Sequence, residues 1–179
     1  MSTGGAALAA KLRLAAAPLA LALAVTGCAH APQAGGGPPE MTHPEGAIFD
    51  PSIDAHAAVD AALAQASASD TLVLIVMGAN WCHDSRALTS YLMEPDLAAL
   101  LDTHYEVVYI DVGLPQTGDG FNLDIAERFG VTSQGTPNVL VIGSDGSLLN
   151  TQENAVSWRN SASRTAQDVY AELLALAGG

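Results

Sequence analysis

The chain contains two cysteines, and they sit in unlike surroundings. Cys82 lies in Trp81-Cys82-His83-Asp84-Ser85, after an apolar run and the breaking tripeptide Gly78-Ala79-Asn80, where a helix is expected to begin. A thiol at the first turn of a helix faces unpaired backbone N–H groups and the positive end of the helix dipole. Both favour the thiolate, which is the form that attacks disulfides. A protonated His83 would add to that effect, whereas the carboxylate of Asp84 would oppose it. These effects oppose one another and leave the net direction for Cys82 open, so the residues alone offer either a nucleophilic thiol or an inert buried cysteine.

Cys28 closes the run Val25-Thr26-Gly27-Cys28, which resembles a bacterial lipobox: an aliphatic residue, two small ones for the peptidase, and a thiol for lipid transfer. Upstream, Lys11 and Arg13 make a positive start, and residues 14–25 form an apolar run of signal-peptide rather than membrane-span length. Residues 1–27 thus read as a signal peptide, and residues 28–46 as a lipidated Cys28 followed by a Pro/Gly-rich tether with no apolar face to bury. Several acyl chains on Cys28 would hold a membrane stably where a single chain binds only marginally. By resemblance to lipoproteins of double-membrane bacteria, Ala29 in place of Asp favours the outer membrane, with the domain facing the periplasm. His30 and His43 lack further ligands at metal spacing and read as solvated tether residues.

Residues 47–179 suffice for one domain with a true core. Acidic residues outnumber basic ones by 19 to 6, and Arg86, Arg128, Arg159 and Arg164, the basic side chains beyond the apolar run, are scattered. Scatter of this kind excludes a phosphate-tracking surface, so no nucleic-acid partner is expected. The negative charge serves solubility, or else selects cationic substrates.

Elements that would position Cys82 follow from patterning. Asp50-Pro51 resembles an N-cap and first helical proline, opening a helix to about residue 68 with Ile53, Ala57, Ala61 and Ala64 on one face. Residues 71–77 form a β-branched run suited to a strand buried on both faces. A helix over 82–93 stops at Pro95, ahead of a shorter amphipathic piece over 96–101 and of His104, which is read as structural or exposed. Tyr105–Asp111 reads as a strand, 113–120 as a flexible loop, and 123–129 as a helix ended by Gly130. Asn138–Ile142 and residues 148–151 flank Ser144-Asp145-Gly146 as a hairpin. A last helix over 162–177 carries Val169, Tyr170, Leu173 and Ala177 on its apolar face. The order α-β-α-β-α-β-β-α, with no internal repeat, implies an α/β fold: a central mixed sheet flanked by helices.

A buried strand leading into Trp81-Cys82 at a helix start, with Gly135-Thr136-Pro137 just before a hairpin strand, resembles the thioredoxin superfamily over roughly residues 48–177. The resemblance implies a thioredoxin-like fold, a nucleophilic Cys82, and a cis Thr136–Pro137 bond facing it. Trp81, His83, Thr136 and Pro137 would then bind substrate, and an extended peptide could pair with the Thr136 backbone as an added strand. Trp158 and Tyr91 read as core aromatics rather than recognition residues.

Two departures from the family pattern limit what the site can do. Ser85 stands where the family places its second, resolving cysteine, so no internal disulfide can form and no intramolecular thiol can release a mixed disulfide. Ser85 would hydrogen-bond the thiolate or simply occupy the helix's first turn. Val76 stands where thioredoxins carry a buried proton-accepting acid. Three functions remain open. One is monothiol exchange on protein or small-thiol disulfides, with no bound cofactor and an external thiol such as glutathione resolving Cys82. Another is a binding module that holds a client, in one form as a mixed disulfide. The third is metal handling by Cys82 and His83, which adjacent helix positions disfavour because they do not share a face.

Overall fold

The computed structural model describes residues 48–178. Residues 1–27, read from sequence as a signal peptide, and residues 28–46, read as a lipidated Cys28 and tether with His30 and His43, lie outside the described residues. Among the described residues no helix is long and apolar enough to cross a membrane.

Strand β1 (Leu72–Gly78) is the centre of the domain. Its run Leu-Val-Leu-Ile-Val-Met has no polar residue, and both of its edges are paired: parallel to β2 (Tyr105–Asp111) and antiparallel to β5 (Asn138–Ile142). The sheet order is β2-β1-β5. Alternation along β1 divides the core in two. Val73, Ile75 and Met77 pack with Ala55, Val59 and Ala66 of helix α1 (Ala55–Ser69) and Ile125 and Ala126 of a short helix, α4 (Leu123–Arg128). Leu74 and Val76 face the other way, toward Leu88 and Leu92 of α2 (His83–Leu92), Leu97 and Leu101 of α3 (Pro95–His104), and Val169 and Leu173 of α6 (Ala166–Leu176). Helices therefore cover both faces of a mixed sheet, as expected.

Several elements differ from the sequence expectation. Asp50 is not the first N-cap: its carboxylate accepts the backbone N–H and hydroxyl of Ser52 at 2.8 and 2.7 Å, forming a turn. Asp54 caps α1 instead, accepting from Ala57 N–H at 3.0 Å. With that start the face bearing Ala55, Val59 and Ala66 meets the sheet, while Ile53, Ala57, Ala61 and Ala64 are exposed. Pro95 does more than stop α2, since it occupies the first turn of α3. His104 is the last residue of α3 and is half-buried.

Residues 113–120, read as a flexible loop, contain two short paired strands, β3 (Gly113–Leu114) and β4 (Asp119–Gly120), around a 3-10 turn. The hairpin after β5 keeps its turn, but its second strand is reduced to a single bridge between Ile142 and Leu148. Asn150 explains why. Its side-chain amide replaces the backbone ladder, Oδ1 accepting from Val141 N–H at 2.9 Å and Nδ2 donating to Val139 C=O at 2.8 Å. Thr151 is thereby free to cap a helix that patterning missed, α5 (Gln152–Ser157), which a 3-10 turn (Trp158–Ser163) follows. The last helix begins only at Ala166, where Thr165 and Asp168 form a capping box.

Replacing Asn150 by Ala would orphan one donor and one acceptor on the buried strand β5. Each such loss costs about 1–3 kcal/mol. Urea unfolding of Asn150→Ala should show destabilisation on that scale, and a change within about 0.5 kcal/mol, as at an ordinary surface position, would refute the role given to this amide.

Candidate functional site

The carboxyl end of β1 delivers the site. The last residue of the strand, Gly78, leaves room for the Phe49 ring, since an added Cβ would lie 2.3 Å from Phe49 Cζ. Asn80 then ties the turn to the same residue, donating from Nδ2 to Phe49 C=O at 2.6 Å and accepting from Phe49 N–H at 3.1 Å. Cys82 follows as the N-cap of α2, in extended conformation, with its carbonyl accepting from Arg86 N–H at 3.1 Å.

Cys82 is 7% exposed, and its sulfur does not cap the helix. The thiol instead donates to the carbonyl of Thr136 at 3.4 Å. The Thr136–Pro137 bond is cis, as the resemblance implies. A carbonyl oxygen suits a protonated thiol and repels a thiolate, so ionisation favours a turn of the sulfur away from Thr136 toward the helix N–H groups.

Ser85 is fully buried, and its hydroxyl makes no bond to the Cys82 sulfur. Its Oγ accepts from Ala79 N–H at 3.3 Å and lies 3.2 Å from Thr136 Oγ1. Thr136 has one hydroxyl proton, which it donates to Met77 C=O at 3.1 Å. The Ser85 hydroxyl must therefore donate to Thr136 Oγ1. The resulting chain, from Ala79 N–H through Ser85 and Thr136 to Met77 C=O, locks the first turn of α2, the cis-proline loop and the end of β1 together. Neither sequence reading of Ser85 described this bridging position.

Trp81 is 47% exposed and is fixed by its indole N–H donating to Gly113 C=O at 3.0 Å. Phe121, 41% exposed, packs at Gly113, so Trp81 and the β3-β4 hairpin form an apolar rim beside the cysteine. His83 is exposed, and Asp84 accepts from Ala162 N–H at 2.9 Å. The other aromatics are placed in the body of the fold: Trp158 is fully buried, and half-buried Tyr91 donates its hydroxyl to Arg164 C=O at 2.9 Å. Val76 is fully buried among apolar side chains. Among the described residues no three His, Cys, Asp or Glu side chains are grouped to hold a metal.

A family model described as thioredoxin-like matches residues 54–144, about half of the chain. The chain belongs to the thioredoxin-like family. This thioredoxin-like protein is 33% identical to a disulphide isomerase from Xylella fastidiosa Temecula1, over 74% of this chain and 98% of that one, with a TM-score of 0.66. A mutant tryparedoxin-I is 20% identical over 54% of this chain and 78% of that one, with a TM-score of 0.35. No curated protein matches the chain significantly.

Two participants escaped the sequence reading. Asn138, fully buried at the start of β5, holds the cis-proline loop through Nδ2, which donates to Gly135 C=O at 2.6 Å and Ser133 Oγ at 2.7 Å. Arg159 donates from Nη2 to Asn138 Oδ1 at 3.0 Å, and its signal was present as one of the few cations in an acidic chain.

Placing a thiol at Ser85 tests whether the geometry for dithiol chemistry survives. Ser85→Cys should form an internal disulfide with Cys82 under oxidising conditions and gain slow insulin-type disulfide reduction, slow because Val76 supplies no proton acceptor. A folded Ser85→Cys variant that stays reduced under those conditions would show that the site has been rebuilt.

Proposed function

We propose that this protein is a lipid-anchored thiol–disulfide exchange enzyme that works through Cys82 alone. The observation that carries the reading is the thiol of Cys82 at the start of α2, held against the carbonyl that precedes cis-Pro137, with Ser85 in the resolving position. Similarity to a disulphide isomerase at 33% identity supports the same chemistry. Cys28 after Val25-Thr26-Gly27 supports the anchor, and Ala29 supports an outer-membrane location facing the periplasm.

In the reaction, the Cys82 thiolate attacks one sulfur of a protein or small-thiol disulfide. The substrate S–S bond breaks, a Cys82 mixed disulfide forms, and the departing thiolate takes up a proton. An external thiolate, glutathione for example, then attacks the sulfur bound to Cys82. A new disulfide leaves and the Cys82 thiolate is restored, with no net change in the number of disulfides. Trp81 and its apolar rim receive the substrate's side chains, and the backbone of Thr136 pairs with an extended substrate segment.

The engagement of Ser85 with Ala79 and Thr136 favours a second reading, in which the mixed disulfide persists and the domain holds a client. Turnover separates the two. Protein from the native host should begin at a lipid-modified Cys28 by intact mass, and with glutathione it should process many equivalents of a mixed-disulfide substrate. Cys82→Ser should process none. A single stoichiometric adduct that glutathione does not release would replace the enzyme with the binder, and an unlipidated product cut elsewhere would remove the anchor.

A further inference from the structure

Four arginines serve the described domain, and two are neutralised in the ordinary way. Arg128 pairs with Asp60 at 2.7 Å, while Arg164 pairs with Glu172 and stacks over Trp158 at 4.2 Å. Among the described residues, Arg86 and Arg159 have no carboxylate within 4.0 Å, although the chain carries a net charge of −13. Each also has a buried Nε without a hydrogen-bond partner. Arg86 folds back onto its own loop, donating to Asn80 C=O at 3.4 Å.

Arg159 stands differently, because it lies against the loop that faces the thiol. A Cβ placed on Gly135 would be 3.2 Å from its Nε and 3.4 Å from its Cζ. Gly135 immediately precedes Thr136, whose carbonyl receives the Cys82 thiol. A neutral amide oxygen, Asn138 Oδ1, orients the guanidinium, and Asn138 is itself fixed to Gly135 and Ser133. Asp84, the acid of the Cys82 motif, is engaged by Ala162 N–H and does not pair with it. Burial disfavours the charged form of Arg159, yet a guanidinium stays protonated in proteins. A half-buried cation with no counter-charge is costly unless an anion completes it, and an incoming anion would meet the Nη groups, since Nε is buried.

We propose that Arg159 binds a carboxylate of the compound whose sulfur is joined to Cys82, making carboxylate-bearing disulfides the preferred substrates of the site. The inference rests on the exchange reading above and names its substrate class. A guanidinium matches a carboxylate in geometry as well as charge, and desolvation beside the loop strengthens the contact. The preference runs against the field of an acidic chain, which by itself would favour cationic disulfides. Glycine at 135 is part of the arrangement, since any larger residue would press on the guanidinium.

The test uses the full chain and compares rates of mixed-disulfide formation at Cys82 with dithiodipropionate, which is anionic, and cystamine, which is cationic. Wild type should favour the anionic disulfide, and raising the salt concentration should shrink that preference. Arg159→Met should lower the anionic-to-cationic rate ratio about tenfold, equivalent to about 1.4 kcal/mol. Arg159→Lys, which keeps the charge but loses the planar fork, should fall between. Peptide disulfides with Asp or Ala beside the cysteine form a further arm. An Asp preference lost in Arg159→Met places the carboxylate on protein substrates as well, and its absence confines the preference to small thiols. If Arg159→Met does not fold, the wild-type ratio and its salt dependence decide. A wild-type ratio of one or less, or a ratio unmoved in folded variants, overturns the proposal. Failure of Cys82 to react with either disulfide would instead overturn the exchange reading itself.

Discussion

The site depends on one hydrogen-bond chain, from Ala79 N–H through Ser85 Oγ and Thr136 Oγ1 to Met77 C=O. It joins the cis-proline loop to two neighbouring segments, the end of β1 and the first turn of α2, in a buried region, and each buried polar group in it has a partner. Without it, the cis-proline loop would lose the side-chain hydrogen bonds that tie Thr136 to the end of β1 and to the first turn of α2, and the carbonyl that accepts from the Cys82 thiol would be less firmly placed. The same chain shows how a second cysteine can be absent while the architecture around it persists. A serine is close in size to cysteine and a stronger hydrogen-bonding group, so Ser85 preserves the packing of the first helical turn as it removes the second sulfur.

The surrounding fold keeps this arrangement rigid. β1 is paired on both edges and covered on both faces, and its last residues lead directly into the motif. Asn150 and Asn138 carry out with side chains what a regular ladder would do with backbone. The first completes β5, and the second pins the loop ahead of it. On the open side, Trp81 and the β3-β4 hairpin present apolar surface, while Arg159 brings an uncompensated charge to the cis-proline loop. A substrate that suits both would carry an apolar portion and a carboxylate around its disulfide.

Much of the frame was legible in the sequence where side-chain contrast is strong. Tyr105–Asp111 and Asn138–Ile142 have the expected bounds, β1 is displaced by one residue, and the start of α2 falls next to Cys82. Contrast fails in α1, where an alanine-rich helix offers nearly equivalent faces, and the one that meets the sheet is opposite to the one expected. α5 was hidden because residues 152–157 are mostly polar and because Asn150 ended the hairpin by a side-chain contact that no periodicity records. At the site, Trp81, Cys82 and the Thr136–Pro137 pair could be placed by their motif. The bridging hydroxyl of Ser85 and the position of Arg159 depend on contacts across 51 and 21 residues, which only the fold reveals.

The central claim is that Cys82 is a working nucleophile in the folded protein despite being 7% exposed. Its most direct test is the rate of Cys82 alkylation by iodoacetamide, resolved by peptide mass and followed across a denaturant series. The account predicts that Cys82 is alkylated in the native state at a rate independent of denaturant below the unfolding transition, because the thiolate needs only to rotate away from Thr136. Alkylation that appears only as the protein unfolds, rising with the unfolded fraction, would contradict it and leave Cys82 a structural residue.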